Sequence, residues 1–150
     1  MQLKTKYLGT VEVDPSDCIH FPAGLPGFGD ETEFVLLDLP GNPIFQIFQS
    51  TKTTAIAFVV TNPHYFYQDY TFTLEDHIVK SLAIEHERDV VVLSIVTLKD
   101  PFEKSTLNLQ APVIINSRTK MGRQYILNDD AFPIRAPIAT VATQSEKGEA

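Results

Sequence analysis

Residues 34–61, FVLLDLPGNPIFQIFQSTKTTAIAFVVT, hold three runs of β-branched and aromatic residues separated by two polar breaks. Side chains of this kind fit a pleated, half-buried surface, and their near-alternation with polar residues predicts strands. Pro40-Gly41-Asn42-Pro43 stops the first run, Phe34 to Leu39. Two prolines and a glycine in four residues form a strong turn signal. The polar tip Thr51 to Thr54 joins the next two runs, Ile44 to Ser50 and Ala55 to Thr61. Short connections of this length pair neighbouring strands antiparallel, because a parallel pair needs a long crossover.

The same pattern extends in both directions. Leu3 to Tyr7 and Val11 to Val13 flank Gly9-Thr10 and read as a hairpin, and Cys18 to Phe21 is a short strand. Tyr70 to Leu74 is an aromatic strand, and Val90 to Leu98 is a near-continuous apolar one. Leu107 to Leu109, Val113 to Asn116 and Gln124 to Asn128 complete the set, with a tight connection at Thr119 to Gly122. One segment differs. Thr73-Leu74-Glu75-Asp76 has the form of a capping box, and Ile78, Val79, Leu82 and Ala83 recur at helical spacing. This predicts a short helix over 75–84. The whole is an all-β, mainly antiparallel, small β-barrel-like domain spanning residues 1–138. Residues 139–150, TVATQSEKGEA with the preceding Ala139, offer little to bury and are expected to form a disordered tail.

Phe21 to Phe28, FPAGLPGF, interrupts this regularity. Pro22 and Pro26 fix φ and remove amide donors, while Gly24 and Gly27 open backbone angles closed to other residues. Phe21, Leu25 and Phe28 gain by leaving water, so the segment is a shaped loop with apolar anchors rather than a flexible linker. It serves as a structural corner or as a surface on which another protein docks.

Composition limits the function. The 150 residues suffice for one domain with a real core, and no apolar run approaches the length that spans a bilayer. MQLKTKYLGTVEV lacks the apolar block of a signal peptide, which makes a cytoplasmic location the expectation. Cys18 is the sole cysteine, so neither an internal disulfide nor a cysteine-based zinc site can be built. The net charge is −7, and both the first 61 residues and the remainder are acidic. Nucleic acid is gripped by cations facing phosphates, so direct RNA or DNA binding is disfavoured. The aromatic run His64 to Phe72 could stack bases, yet no Lys or Arg lies between Lys52 and Lys80. An acidic surface suits a basic protein partner instead.

Catalytic signals are weak. His20, His64, His77 and His86 show no metal-site spacing, and no G-x-S-x-G elbow or phosphate-binding glycine loop occurs. The chain is expected to be no enzyme and to need no metal or cofactor. A small-ligand-binding or hydrolytic β-barrel is the alternative, with His20, His64 and Cys18 as its candidate groups. More telling are amides set among apolar residues: Gln46 and Gln49, Asn108 and Gln110, Asn116, and Gln124. Buried amides need partners, so these either tie loops to the barrel or form a polar rim round an apolar partner site.

Taken in order, FPAGLPGF, the FQS of 48–50 before the AIAF of 55–58, Asn62-Pro63, NLQAPVIIN of 108–116 and GRQYIL of 122–127 resemble the flagellar assembly factor family FliW. The opening TKYLGTVEV agrees, and the likeness covers roughly residues 3–135. Gly29-Asp30 stands where many members carry a glutamate, and Phe45 where tryptophan is also found. The resemblance implies a non-catalytic cytoplasmic regulator with two partners. One is newly made flagellin. The other is the dimeric RNA-binding translational repressor CsrA, bound with one copy of the FliW-type protein on each side. FliW-type proteins freed by flagellin secretion capture CsrA away from its RNA-contacting surface and relieve repression of flagellin synthesis. Phe21, Leu25, Pro26, Phe28, Gln49, Asn108, Gln110 and Asn116 are the candidate partner-binding residues, the competing reading being that they maintain the barrel.

Overall fold

In the computed structural model, which describes residues 1–128 and 131–138, the chain between Ile19 and Gln124 winds into a closed sheet. Among the described residues it forms eleven strands and one α-helix. The runs read from residues 34–61 are β4 (Glu33–Leu39), β5 (Asn42–Ser50) and β6 (Ala57–Thr61), paired antiparallel in succession. β3 (Ile19–His20) precedes them, and β7 (Val90–Thr97), β8 (Thr106–Leu107), β9 (Val113–Asn116) and β10 (Met121–Gln124) follow. The ring runs β7-β6-β5-β4-β3-β10-β9 and closes where Val90–Leu93 of β7 pair with Asn116–Val113 of β9. A single parallel pairing, Met121 with His20, joins β10 to β3. The hairpin β1 (Gln2–Lys4) and β2 (Thr10–Glu12) stands apart as a small sheet, and β11 (Ala136–Pro137) pairs with β8.

Alternation along each strand sorts the apolar side chains into clusters on the two faces of the wall. Phe34, Phe48, Val60, Leu93, Val113 and Ile115 share the central cluster with Phe21 and Leu25. Phe34 and Phe48 stack at 4.6 Å, and Phe21 meets them edge-on at 5.5 and 5.4 Å. Full burial of each ring contributes roughly 1.5–3 kcal/mol. The intervening residues face outward and are covered in turn. Val35 lies under the β1–β2 hairpin with Leu3 and Val13, and Ile114 lies under Ile78 of the helix and Leu82 at its C-cap. Val96 and Leu107 pack with Tyr70, Leu109, Leu127, Ala136 and Ile138.

Several sequence expectations change. Helix α1 is shorter than 75–84, spanning Asp76–Ser81, and its N-cap is Glu75 rather than Thr73. The capping box does not form, and the Glu75 carboxylate instead accepts the Tyr125 hydroxyl at 2.9 Å. Tyr70 to Leu74 is not a strand. It packs over β7 through Tyr70, Phe72 and Leu74, and its Tyr70 N–H already closes a turn on the Tyr67 carbonyl at 3.0 Å. Outside any ladder, the segment anchors through side chains: the Tyr70 hydroxyl donates to the Leu109 carbonyl at 2.6 Å. The last strand is also displaced, to Met121–Gln124. Beyond it, Tyr125 N–H donates to Pro112 and Leu127 N–H to Gln110, but Pro112 has no N–H to return, so no regular ladder continues. The tail expected at 139–150 lies outside the described residues.

Candidate partner-binding site

The proline–glycine loop is built around two short turns. Gly24 N–H donates to the Phe21 carbonyl at 2.8 Å, and Phe28 N–H donates to the Leu25 carbonyl at 2.7 Å. Pro26 and Gly27 fill the centre of the second turn, with Gly27 at φ +82°, the arrangement of a type II turn. Gly24 is the tighter constraint. A Cβ there would lie 2.6 Å from the Phe28 carbonyl oxygen and 2.7 Å from the Gly29 Cα, at a φ of +67°. Buried Glu31 ties the loop to the β5–β6 turn by accepting the hydroxyls of Ser50 and, at 2.9 Å, Thr53.

This geometry splits the loop's apolar residues. Phe21 and Leu25 point into the core, at 0% and 3% exposure, whereas Phe28 remains 39% exposed and rests edge-on against Phe58 at 5.6 Å. Pro26 is also exposed. Beside them a depression of about 270 Å³ is lined by Leu25, Pro26, Phe28, Phe58, Ile95 and Ile126, with Asn108, Ala111 and Gln124. No ionisable side chain lines it. Two amides stabilise its walls. Asn108 Oδ1 accepts the N–H groups of Gln110 and Ala111 at 3.1 and 3.0 Å, and Gln124 Nε2 donates to the Ala111 carbonyl at 2.9 Å. An uncharged, apolar hollow with rigid walls can accept an apolar side chain of another molecule, but it has no group to move a proton.

Of the candidate residues, the fold gathers Leu25, Pro26, Phe28 and Asn108 around this depression. Gln110 lines a neighbouring hollow with Phe132, Pro133, Ile134 and Arg135. Phe21, Gln49 and Asn116 are fully buried. Gln49 Oε1 accepts Lys6 N–H at 3.0 Å while its Nε2 donates to Thr54 and Ile56 carbonyls at 3.1 and 3.3 Å, joining the N-terminal hairpin to the β5–β6 turn. Asn116 Nδ2 donates to the Leu82 carbonyl at 2.8 Å, and its Oδ1 accepts Arg118 and Thr119 N–H groups. Sequence reading missed Phe58, Ile95 and Ile126. Phe58 and Ile126 lie within the AIAF and GRQYIL motifs but, like Ile95, show in sequence only ordinary strand hydrophobicity, and Ile126 is recognisable through its 56% exposure in the fold.

The groups of the enzymatic alternative are engaged separately. His64 Nε2 lies 2.7 Å from the Tyr70 carbonyl and His20 Nδ1 lies 3.6 Å from Glu33. Burial pushes the Cys18 thiol up, against thiolate formation. Among the described residues, no group of three or more His, Cys, Asp or Glu is placed to hold a metal ion, and no helix is long and apolar enough to cross a membrane.

Known proteins match this chain along nearly its whole length. The sequence model described as FliW protein matches residues 2–138. The flagellar assembly factor FliW of Oceanobacillus iheyensis is 46% identical over 138 residues, covering 92% of this chain and 94% of the relative. That of Shouchella clausii is 44% identical over 140 residues, covering 93% and 96%. A crystal structure of the flagellar assembly factor FliW superposes with a TM-score of 0.88 at 37% identity, covering 92% of this chain and 96% of the other. The ordered motifs, the closed seven-element ring in which they sit and these likenesses converge: the chain belongs to the FliW family of flagellar assembly factors.

Proposed function

We propose that this chain is a non-catalytic cytoplasmic regulator that binds flagellin and, when free of it, captures the CsrA dimer. One copy on each side of that dimer relieves repression of flagellin synthesis without contacting RNA. Support comes first from family membership and the net charge of −7, which suits a basic, RNA-binding partner. An acidic protein docked beside an RNA-binding surface weakens its positive potential across a Debye length of about 8 Å at physiological salt, so direct occlusion is unnecessary.

The observation that carries the flagellin half is the uncharged depression with Phe28 and Ile126 exposed at its edge. An unassembled polymer subunit still exposes the apolar surface it buries on polymerisation. Such a segment fits this hollow better than a cationic RNA-binding face does, since burying a cation against apolar walls is costly. Ile126→Asp tests the assignment. Because Ile126 is 56% exposed, its replacement is expected to change stability by no more than about 0.5 kcal/mol while weakening flagellin binding at least about ten-fold. Unchanged flagellin affinity in that folded variant would place the contact elsewhere. Pull-down from a flagellated bacterium, followed by competition between the two captured proteins, tests the switch. Mutually exclusive complexes are expected; a stable ternary complex overturns it.

A further inference from the structure

β4 is paired along its whole length on one edge only. On the β5 side the register runs from Phe34 opposite Ser50 to Asp38 opposite Gln46. On the other side β3 contributes only Ile19 opposite Phe34 and His20 opposite Glu33. Antiparallel strands send the backbone groups of alternate residues to opposite edges. The Glu33 carbonyl accepts Thr51 N–H on the β5 side, and the Thr32 carbonyl accepts Phe21 N–H on the β3 side. By that parity the N–H and C=O groups of Phe34, Leu36 and Asp38 face β3. Phe34 meets Ile19 there. Leu36 and Asp38 meet no backbone partner among the described residues.

The reason is local. Continuing β3 backwards would bring residues before Ile19 along this edge, but Pro15–Asp17 coil into a 3-10 turn. Asp14 caps that turn by accepting Ser16 N–H at 2.9 Å, and Pro15 has no N–H to offer a ladder. The chain therefore leaves the edge open. What remains is a groove of about 410 Å³ floored by Ile19, Leu36, Val91 and Ile115. Its rim carries Glu12, Asp14, Asp17 and Asp38 against one cation, Lys120. Glu12 already pairs with the N-terminal ammonium at 2.7 Å and Asp38 accepts Gln46 Nε2 at 2.9 Å. The hydrogen bond from the Ser16 backbone holds the Asp14 carboxyl below its ordinary range, so it stays ionised.

We infer that this edge is a strand-addition site for an extended, cationic segment of a partner protein, which pairs with the backbone of Leu36 and Asp38. The open ladder supplies main-chain hydrogen bonds, as in other cases of β-augmentation. The pleat directs alternate side chains of the added segment to opposite faces, which places apolar ones on the groove floor and Lys or Arg at the acidic rim. An acidic segment is repelled by the same rim. The site uses different residues from the apolar depression, and its test is separate from that of the flagellin reading.

The probe is the capped peptide Lys-Val-Lys-Val-Lys, titrated into the full chain and followed by amide NMR and hydrogen exchange. The Leu36 and Asp38 amides are expected to shift and, at saturation, to exchange at least about ten-fold more slowly. A fully N-methylated peptide of the same sequence should lose that protection, because it cannot donate to the ladder. The double variant Asp14→Asn/Asp17→Asn should weaken binding about ten-fold while keeping the wild-type melting temperature. Three results each overturn the inference. These are no shift at millimolar peptide, equal binding of the N-methylated form, and shifts confined to Phe28 and Ile126.

Discussion

Gly122 and the ring of Phe21 are fitted to each other. A Cβ on Gly122 would stand 2.6 Å from the Phe21 Cζ and 2.8 Å from its Cε1. The ring cannot retreat, since Phe34 and Phe48 brace it edge-on and it is fully buried. Gly122→Ala is therefore expected to destabilise the fold by about 1–3 kcal/mol in denaturant unfolding, through overpacking rather than through φ. The double variant Gly122→Ala/Phe21→Leu should recover part of that loss. Additive losses in the pair would mean that the two residues are not in contact. Both belong to motifs legible in the sequence, GRQYIL and FPAGLPGF, but nothing in one dimension indicates that the glycine of one makes room for the phenylalanine of the other.

Helix α1 shows what a six-residue element needs in order to persist, since a helix this short is not stable alone. Its C-terminus closes with a pair of bonds, Ile84 N–H to the Val79 carbonyl at 3.0 Å and Ala83 N–H to the Lys80 carbonyl at 3.1 Å. That is a Schellman ending, which places its next residue in the left-handed region, and here the residue is Ala83 at φ +53°. Ala83→Gly removes the Cβ strain and is expected to stabilise the protein by about 0.5–1 kcal/mol, read as an upward shift in melting temperature. A lower melting temperature would count against the left-handed assignment. The last carbonyls of this ending are held from β9 and the turn after it: Asn116 donates to Leu82, and Arg118 donates to Ala83 at 2.9 Å. The helical periodicity of Ile78, Val79 and Leu82 announced the element. Its start was misplaced because Thr73 is already committed to the extended aromatic segment, and the ending depends on an amide 34 residues away.

At the scale of the whole molecule, the part of the sheet's outer face over Val96 and Leu107 is roofed by aromatic residues, two of whose hydroxyls are tied down. Tyr67 donates to the Pro137 carbonyl and Tyr70 to the Leu109 carbonyl, each at 2.6 Å. Burial raises both phenols above the ordinary tyrosine value of about 10. A raised folded-state pKa contributes stability that is present in full below the unfolded value and lost as the pH climbs through the folded one. Stability is therefore expected to begin falling near pH ~10, the ordinary tyrosine value. Tyr70→Phe should make that alkaline decline shallower, and at neutral pH should cost about 1–2 kcal/mol because the buried Leu109 carbonyl loses its donor. A decline of unchanged slope in Tyr70→Phe would show that this phenol is not among the groups responsible.

The sequence by itself determined the class of fold, the antiparallel core of β4, β5 and β6, and the family. Those depend on periodicity, on turn residues and on motif order, which are properties of neighbours along the chain. It also marked Phe28, Pro26 and Asn108 as residues worth attention, without saying that they meet. Tertiary structure alone decided that Phe28 stays at the surface while Phe21 and Leu25 go inside, and that Gln49 and Asn116 are spent within the fold. It alone showed that Tyr70 to Leu74 joins no ladder and that β4 keeps an edge open. Closure of the ring through β7 and β9 is the physical reason, because it fixes which strand edges are consumed and which face of each strand is covered. Local sequence can announce a strand. Only the assembled sheet settles what that strand has left to bind.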